Sequence, residues 1–206
     1  MIEITQKGSV AIVKMVHGKA NAMDLALCDA LSEHFEKLRS SPARAIVLTG
    51  QGRIFSAGVD LVRAMDGGPD YFRTFLPSLR KMFEAVAFHP KPVIALEIMR
   101  FVVAPQYFSE IILGAATYPP DAAAGRGLID EVVDPENLLD RAVAAAESLA
   151  ALRPEAFALA KIQCRQPVIA ALRAGGPDDA AVDRIWNDPA SFASIRNYVT
   201  RTFRRA

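Results

Sequence analysis

Cysteine is scarce, with only Cys28 and Cys164 among 206 residues. Both sit in apolar, helix-like surroundings, and neither has a partner at metal-ligand spacing. They read as small core hydrophobes in a reducing compartment, with no metal site implied. Charge of one sign is equally lacking: 24 Lys and Arg stand against 23 Asp and Glu, a formal net charge of +1. That balance offers no electrostatic footprint for nucleic acid or for an anionic membrane. No apolar run approaches the length of a membrane span. The first residues, Met1-Ile2-Glu3-Ile4-Thr5, read as a strand and not as a basic leader before an apolar segment. The expected compartment is the cytoplasm. The length is that of one globular domain with at most a small appendage, enough to bury a substantial core.

What is present alternates. Val10–Val16 is rich in β-branched residues and reads as a strand. A loop from His17 to Met23 follows, and Asp24 is placed to cap a helix reaching about Ser40, with Leu27, Leu31, Phe35 and Leu38 on one stripe. Arg44–Leu48 is a strand apolar enough to be covered on both faces. Gly67-Gly68-Pro69 is a break, and a helix from about Asp70 to Phe88 carries Pro77, expected to kink or restart it. Pro92–Leu96 is a further short strand. Strands alternating with helices imply an α/β domain with parallel pairing through right-handed crossovers. From Ile98 onward the pattern is mostly helical, over Asn137–Leu152, Pro154–Gln166, Pro177–Trp186 and Pro189–Phe203, with a strand signal only at Glu131-Val132-Val133. The expected organisation is a β/α core over residues 1–97 and a mostly helical part over 98–206.

The segment "LTGQGRIFSAGVDLVRAM", Leu48 to Met65, joins a buried strand to a helix through three glycines. Such a junction presents unpaired amide N–H groups backed by the positive end of the helix dipole. It suits a phosphate or a developing oxyanion. The spacing matches neither G-x-G-x-x-G nor G-K-[ST], and Asp60 just inside the helix repels a polyphosphate placed close by. A neutral carbonyl oxygen that gains charge during reaction fits better; an ordinary turn is the alternative.

The residues "GRIFSAGVDL" resemble the signature loop of the crotonase superfamily, the enoyl-CoA hydratases and isomerases. "KANAMD" (Lys19–Asp24) resembles the family's first CoA-contacting loop and "KPVIAL" (Lys91–Leu96) its next buried strand. "AAAGRGLIDEVVD" (Ala122–Asp134) is similar to the helix-turn-strand after the family's site, and "LRPEAFALAK" (Leu152–Lys161) to its helical C-terminal region. The resemblance implies a crotonase-like layered β/α fold with a helical C-terminal part. It implies a CoA thioester as substrate with no separate cofactor, and a trimer or dimer of trimers as the assembly. By position, the N–H of Val59 is implied to be one of two oxyanion-hole donors. The backbone of Ala57 is implied to lie against the CoA adenine, with Ala20 and Ala22 along the same groove and Lys19, Gly58, Asp60 and Leu61 completing the CoA-binding set. Asp60 is expected to cap or brace the helix start.

The pattern then departs from the family. The second donor loop and the usual acid/base glutamates follow the "KPVIA" strand in relatives. Here Leu96-Glu97 runs straight into Ile98-Met99-Arg100, with no glycine between Gly68 and Gly114. The expectation is an internal deletion. Losing one oxyanion donor typically costs 10²–10³ in rate, roughly 2.7–4 kcal/mol, and losing acid/base assistance typically 10²–10⁴ more.

Glu97, at the end of its strand, is the candidate replacement acid/base, against a solvated or capping role. Glu110 is a candidate partly buried acid. Asp130 and Glu131 are expected to serve a turn. His17 stands near the Lys19 loop, within reach of a CoA phosphate or simply exposed. His34 and His89 are expected in surface or packing roles. Lys161, Arg165, Arg196, Arg201, Arg204 and Arg205 form a cationic C-terminal region. They read either as a solvated face or, with Phe203, as closing a CoA pocket. Three functions stay open: an enoyl-CoA hydratase or isomerase, a non-catalytic CoA-thioester-binding or oligomer-forming relative, and an internally deleted form of an active enzyme.

Overall fold

The chain enters as a hairpin: β1 (Ile2–Lys7) turns at Gly8 and returns antiparallel as β2 (Val10–Met15), with Ile4 opposite Val13. Gly8 takes a φ of 55°, in the left-handed region that a tight reversal uses. The computed structural model describes residues 1–95, 116–174 and 188–203, with residues 107, 110, 111, 114, 181, 184 and 185 as single positions between them. After β2, α1 (Leu25–Arg39) crosses to β3 (Ala45–Thr49), and α2 (Leu61–Ala87) crosses to β4 (Val93–Ala95). Both crossovers return the chain parallel, giving a sheet in the order β1-β2-β3-β4 with Val13 beside Leu48 and Leu48 beside Ala95. Toward the C-terminus the described residues include the helices α3 (Pro120–Gly125), α4 (Leu138–Ala150), α5 (Pro154–Ala174) and α6 (Pro189–Phe203).

Alternation along the strands divides the core into two layers, because successive side chains of a strand face opposite ways. Ala11, Val13, Met15, Ile46 and Leu48 face α1 and α2, where they meet Leu27, Leu31, Phe35, Phe72 and Phe75. Val10, Ala45 and Val47 face the other way, onto Ala142, Val143, Ala146 and Ala150 of α4. Each fully buried side chain of the Leu or Phe class contributes about 1.5–3 kcal/mol, so both layers are needed to hold the sheet in place. Val199 of α6 is buried in the first layer, and Phe72 meets Phe192 edge-on with ring centroids 5.6 Å apart.

α1 follows its sequence closely: Asp24 accepts from the Leu27 N–H, and the helix ends at Arg39 before Pro42. α2 joins the helix expected after the Gly50–Gly58 loop to the one expected from about Asp70, and the expected break between them is present: the non-helical residue within α2 is Gly68, with φ 65° and ψ −162°. The kink therefore sits at Gly68 and not at Pro77, because only glycine takes up that backbone freely. The expected strand at Glu131-Val132-Val133 is not formed. The stretch is irregular, Val132 is 45% exposed, and Glu131 is paired instead with Arg141 at 2.8 Å. A lone β-branched run needs a sheet edge to pair with, and none reaches it among the described residues. Cys28 is fully buried as expected, whereas Cys164 is exposed on α5, correcting its expected core position. α5 continues past Gln166 and through Pro167 to Ala174.

The junction Leu96-Glu97-Ile98, most of the expected helix Pro177–Trp186, the Phe203 side chain, and Arg204 and Arg205 lie outside the described residues.

Beneath the sheet, polar side chains replace missing backbone partners. His89 is completely buried, its Nε2 3.1 Å from the Phe35 carbonyl while its Nδ1 accepts from the Lys91 N–H at 3.2 Å. That arrangement fixes the neutral tautomer with the proton on Nε2. Burial, with the charges of Lys161 and Arg39 adding to it, pushes the ring down to about 4. Lys91 donates to the carbonyls of Leu38 and Ser41, closing the C-terminal end of α1. Lys161 donates to the carbonyls of His89 at 2.7 Å and Lys91 at 3.0 Å, pinning α5 to the entry of β4.

Candidate functional site

Two loops meet at the end of the sheet where β2 and β3 finish. Ala20 O accepts from Ala57 N at 2.9 Å, Met23 N donates to Gly58 O at 2.8 Å, and Asp60 N donates to Met23 O at 3.0 Å. Residues 20–23 and 57–60 thus run side by side, with Met23 and Val59 as a parallel bridge pair. The expected residues Ala20, Ala22, Ala57, Gly58, Val59 and Asp60 are brought into one place. Lys19 sits exposed at the rim, and Leu61 opens α2 directly behind.

The pairing dictates where the Val59 amide points. Met23 uses both of its backbone groups on Gly58 and Asp60, so the N–H and C=O of Val59 turn to the opposite side. The Val59 carbonyl accepts from Leu61 N at 2.8 Å. Its N–H meets no acceptor among the described residues and stands at the entry of α2, at the positive end of that helix. Asp60 caps the helix, its Oδ1 accepting from Arg63 N at 2.9 Å. The Asp60 carboxylate is committed to that turn.

The glycines answer to geometry. Gly58 has φ 83°, and its N–H donates to Ser56 Oγ at 3.1 Å, which sets the turn ahead of Val59. Gly50 is crowded: a Cβ there would come within 2.2 Å of the Ile54 carbonyl oxygen and 2.5 Å of the Phe55 Cα. The loop folds back on its own start, and only a residue without a side chain permits it.

Several residues that hold this arrangement escape a reading of the sequence. Asn21 is buried with φ 48°, takes the His17 N–H on Oδ1 at 2.8 Å, and donates through Nδ2 to Phe55 O at 3.0 Å. Ser56 Oγ donates to Asn21 O at 2.7 Å. The available signal was the residue type, since asparagine tolerates the left-handed region and bonds backbone with its amide. Asp24 is 1% exposed and does more than cap α1: its Oδ2 lies 2.9 Å from His17 Nε2 and 2.6 Å from Arg63 Nη1. Burial alone would raise that carboxyl, but the Leu27 N–H, the His17 ring and Arg63 outweigh it and hold the group below the usual carboxylate range. His17 is therefore neither a free surface histidine nor, in this arrangement, directed at a ligand phosphate.

The other candidates fall elsewhere. Glu110 is 43% exposed and forms a separate cluster, accepting from Arg126 Nη2 at 2.7 Å and Tyr118 Oη at 2.8 Å. Those partners hold its carboxyl low, the opposite of a poised acid. Glu131 is bound to Arg141, and His34 is half-buried on α1. Arg196 is exposed, whereas Lys161 is half-buried on α5 with its ammonium turned to the His89 and Lys91 carbonyls, and is not part of a solvated face. Glu97 lies outside the described residues, and no group of three or more metal-ligating side chains occurs among the described ones.

Residues 5–100 match the family model described as enoyl-CoA hydratase/isomerase. A putative enoyl-CoA hydratase of Thermus thermophilus is 35% identical over 101 residues, covering 46% of this chain and 39% of that protein. The mitochondrial Delta(3,5)-Delta(2,4)-dienoyl-CoA isomerase of Mus musculus is 35% identical over 89 residues, covering 37% of this chain and 27% of its own length. The chain thus spans well under half the length of these curated relatives. The crystal structure of the probable enoyl-CoA hydratase EchA3 from Mycobacterium tuberculosis superimposes with a TM-score of 0.76 at 26% identity, over 96% of this chain and 98% of that one. Residues 5–100 are thus similar in sequence to the enoyl-CoA hydratases and isomerases, and the chain carries an α/β crotonase-like fold over nearly its whole length.

Proposed function

We propose that the chain binds acyl-CoA thioesters in the groove between residues 19–22 and 57–61, with the Val59 N–H donating to the thioester carbonyl oxygen. The observation that carries this reading is the direction of that N–H: unspent, at the head of α2, flanked by Gly58 and by the small residues Ala57, Ala20 and Ala22. A donor placed there holds negative charge as it develops on the carbonyl oxygen and so stabilises a thioester enolate. Lys19, exposed at the rim, supplies positive charge on the side where the CoA phosphates leave the groove.

Turnover is the separate question. The family match ends at residue 100, and no glycine falls between Gly68 and Gly114 to build a second donor loop. Together these favour a thioester-binding protein with hydratase or isomerase activity that is slow or absent. Glu97 is the group to test as a replacement acid/base. The alternative, an internally deleted form of an active enzyme, is distinguished by the intact mass of the natural protein: 22.3 kDa makes the short chain real.

The direct test is crotonyl-CoA binding to the wild-type chain and to Val59→Pro, which lacks the N–H. Saturable binding weakened by the substitution supports the carbonyl contact, and equal binding by both refutes it. Any crotonyl-CoA turnover is then compared in Glu97→Gln. We further propose a cytoplasmic location and a trimer-based assembly. The latter is supported by the exposed Leu152 just before α5 and Leu159 and Ile162 within it, and is checked by light scattering.

A further inference from the structure

We propose a second binding site, for a short-chain carboxylate, in a cleft at the opposite end of the sheet from Val59. The parallel strands β3 and β4 both enter the sheet here, directly after Arg44 and after Pro90-Lys91-Pro92. They leave it at the end that carries the Gly50–Asp60 loop. Five residues of β3 at about 3.3 Å each separate the two ends by roughly 16 Å. The α4–α5 connection closes the cleft from above, leaving about 280 Å³. That is at the small limit of ligand pockets and cannot take a CoA moiety, so the proposal is independent of the thioester reading.

The lining is amphipathic in a specific way. Arg39, Arg44 and Lys91 supply three cations against the single carboxylate of Glu155, while Leu149 and Phe157 are among the apolar residues that complete the wall. Lys91 spends its ammonium on the Leu38 and Ser41 carbonyls and on Ser41 Oγ, and contributes charge alone. The arginines are less committed. Arg39 uses Nε on Glu36 at 2.7 Å, and Arg44 uses Nη2 on the Leu152 carbonyl at 2.9 Å. A guanidinium carries five N–H donors, so each keeps others for a ligand. Its planar fork matches a carboxylate, and the apolar wall calls for a hydrocarbon chain behind that head. A bare inorganic anion leaves the apolar wall wet, and an uncharged chain leaves the cations unanswered.

The test is a titration of the full ¹⁵N-labelled chain with sodium hexanoate, followed by amide chemical shifts, with hexan-1-ol and inorganic phosphate as matched probes. Hexanoate is expected to shift the amides of Arg44, Lys91 and Phe157 saturably, in the millimolar range. Both control probes are expected to bind at least roughly tenfold more weakly, as are Arg44→Met and Arg39→Gln. Arg39→Gln serves if Arg44→Met fails to fold, and the comparison of probes on the wild-type chain needs no variant. The proposal is overturned by hexanoate shifts that do not saturate, or that map only to residues 50–61. It is equally overturned by hexanol or phosphate matching hexanoate, or by undiminished binding in a folded variant.

Discussion

Arg63 reaches back from the first turn of α2 to place Nη1 2.6 Å from Oδ2 of Asp24, the residue that caps α1. The two helices that flank the Val59 turn are thereby tied through one buried carboxylate, and His17 holds the same oxygen from the loop before α1. The Met23–Val59 pairing lies next to this tie in the chain, so the position of the Val59 N–H depends on it.

Asp24→Ala is expected to destabilise the chain by about 2 kcal/mol: about 1 for the lost cap and the remainder for the buried hydrogen bonds to His17 and Arg63. Arg63 is 55% exposed, so water recovers part of its loss and keeps the figure from rising further. Urea unfolding should show a lower midpoint with an unchanged slope. The pH dependence follows from the depressed carboxyl. Its contribution is complete above the unfolded value near 3.9 and is lost as pH falls through the lower folded value. Below about pH 4, wild-type stability should therefore fall more steeply than that of Asp24→Asn.

Much of this fold was legible because period and punctuation agreed. Leu27, Leu31, Phe35 and Leu38 kept a helical spacing between Asp24 and Pro42, and the run at 45–48 was apolar on both faces because both faces are covered. The Gly50–Asp60 loop was legible through its small residues. Glu131-Val132-Val133 misled, since β-branched residues report fitness for a sheet and not the presence of an edge to join. Gly68 and Pro77 both carried break signals, and only backbone angles show that glycine took the bend while the proline stayed helical. Asn21, His17 and Arg63 were not legible, because their partners lie as far as 39 residues away and depend on how α1 and α2 come together.

His89 makes stability fall in mild acid. Its ring is neutral and buried with a folded value of about 4, against about 6.5 in an unfolded chain. Between those values the unfolded state binds the extra proton, so stability is complete above about pH 6.5 and declines toward about pH 4, by at most about 3 kcal/mol. His89→Gln, which keeps a donor for the Phe35 carbonyl, is expected to flatten that part of the curve. Chemical denaturation at stepped pH reads the difference, and a parallel decline in both proteins would locate the acid sensitivity elsewhere.

Lys161 acts at the other end of the scale. Burial, with the Arg165 charge adding to it, lowers its ammonium to about 7, against about 10.4 when unfolded. The unfolded state binds more protons across that interval, so stability should rise with pH from about 7 to about 10.4. A neutral amine still donates to the His89 and Lys91 carbonyls, so those bonds survive deprotonation. Lys161→Met is expected to lower stability throughout and to remove the alkaline rise. An unchanged rise in the variant would assign it to another group.

The two glycines of the site should fail differently when given a side chain. Gly58→Ala meets no atom within 4 Å but must hold φ near 83°, a strain of about 1–2 kcal/mol. The backbone can relieve that strain by rotating, and rotation at Gly58 re-aims the following N–H, which belongs to Val59. Crotonyl-CoA binding should therefore weaken more than stability does. Gly50→Ala meets the Ile54 carbonyl oxygen at 2.2 Å, and no side-chain movement relieves a clash with backbone. Here the whole loop must shift, so thermal stability and binding should fall together. Measured side by side, a selective loss of binding in Gly58→Ala ties function to the direction of one amide. Equal losses in stability and binding in both variants would mean that the loop is only a structural turn.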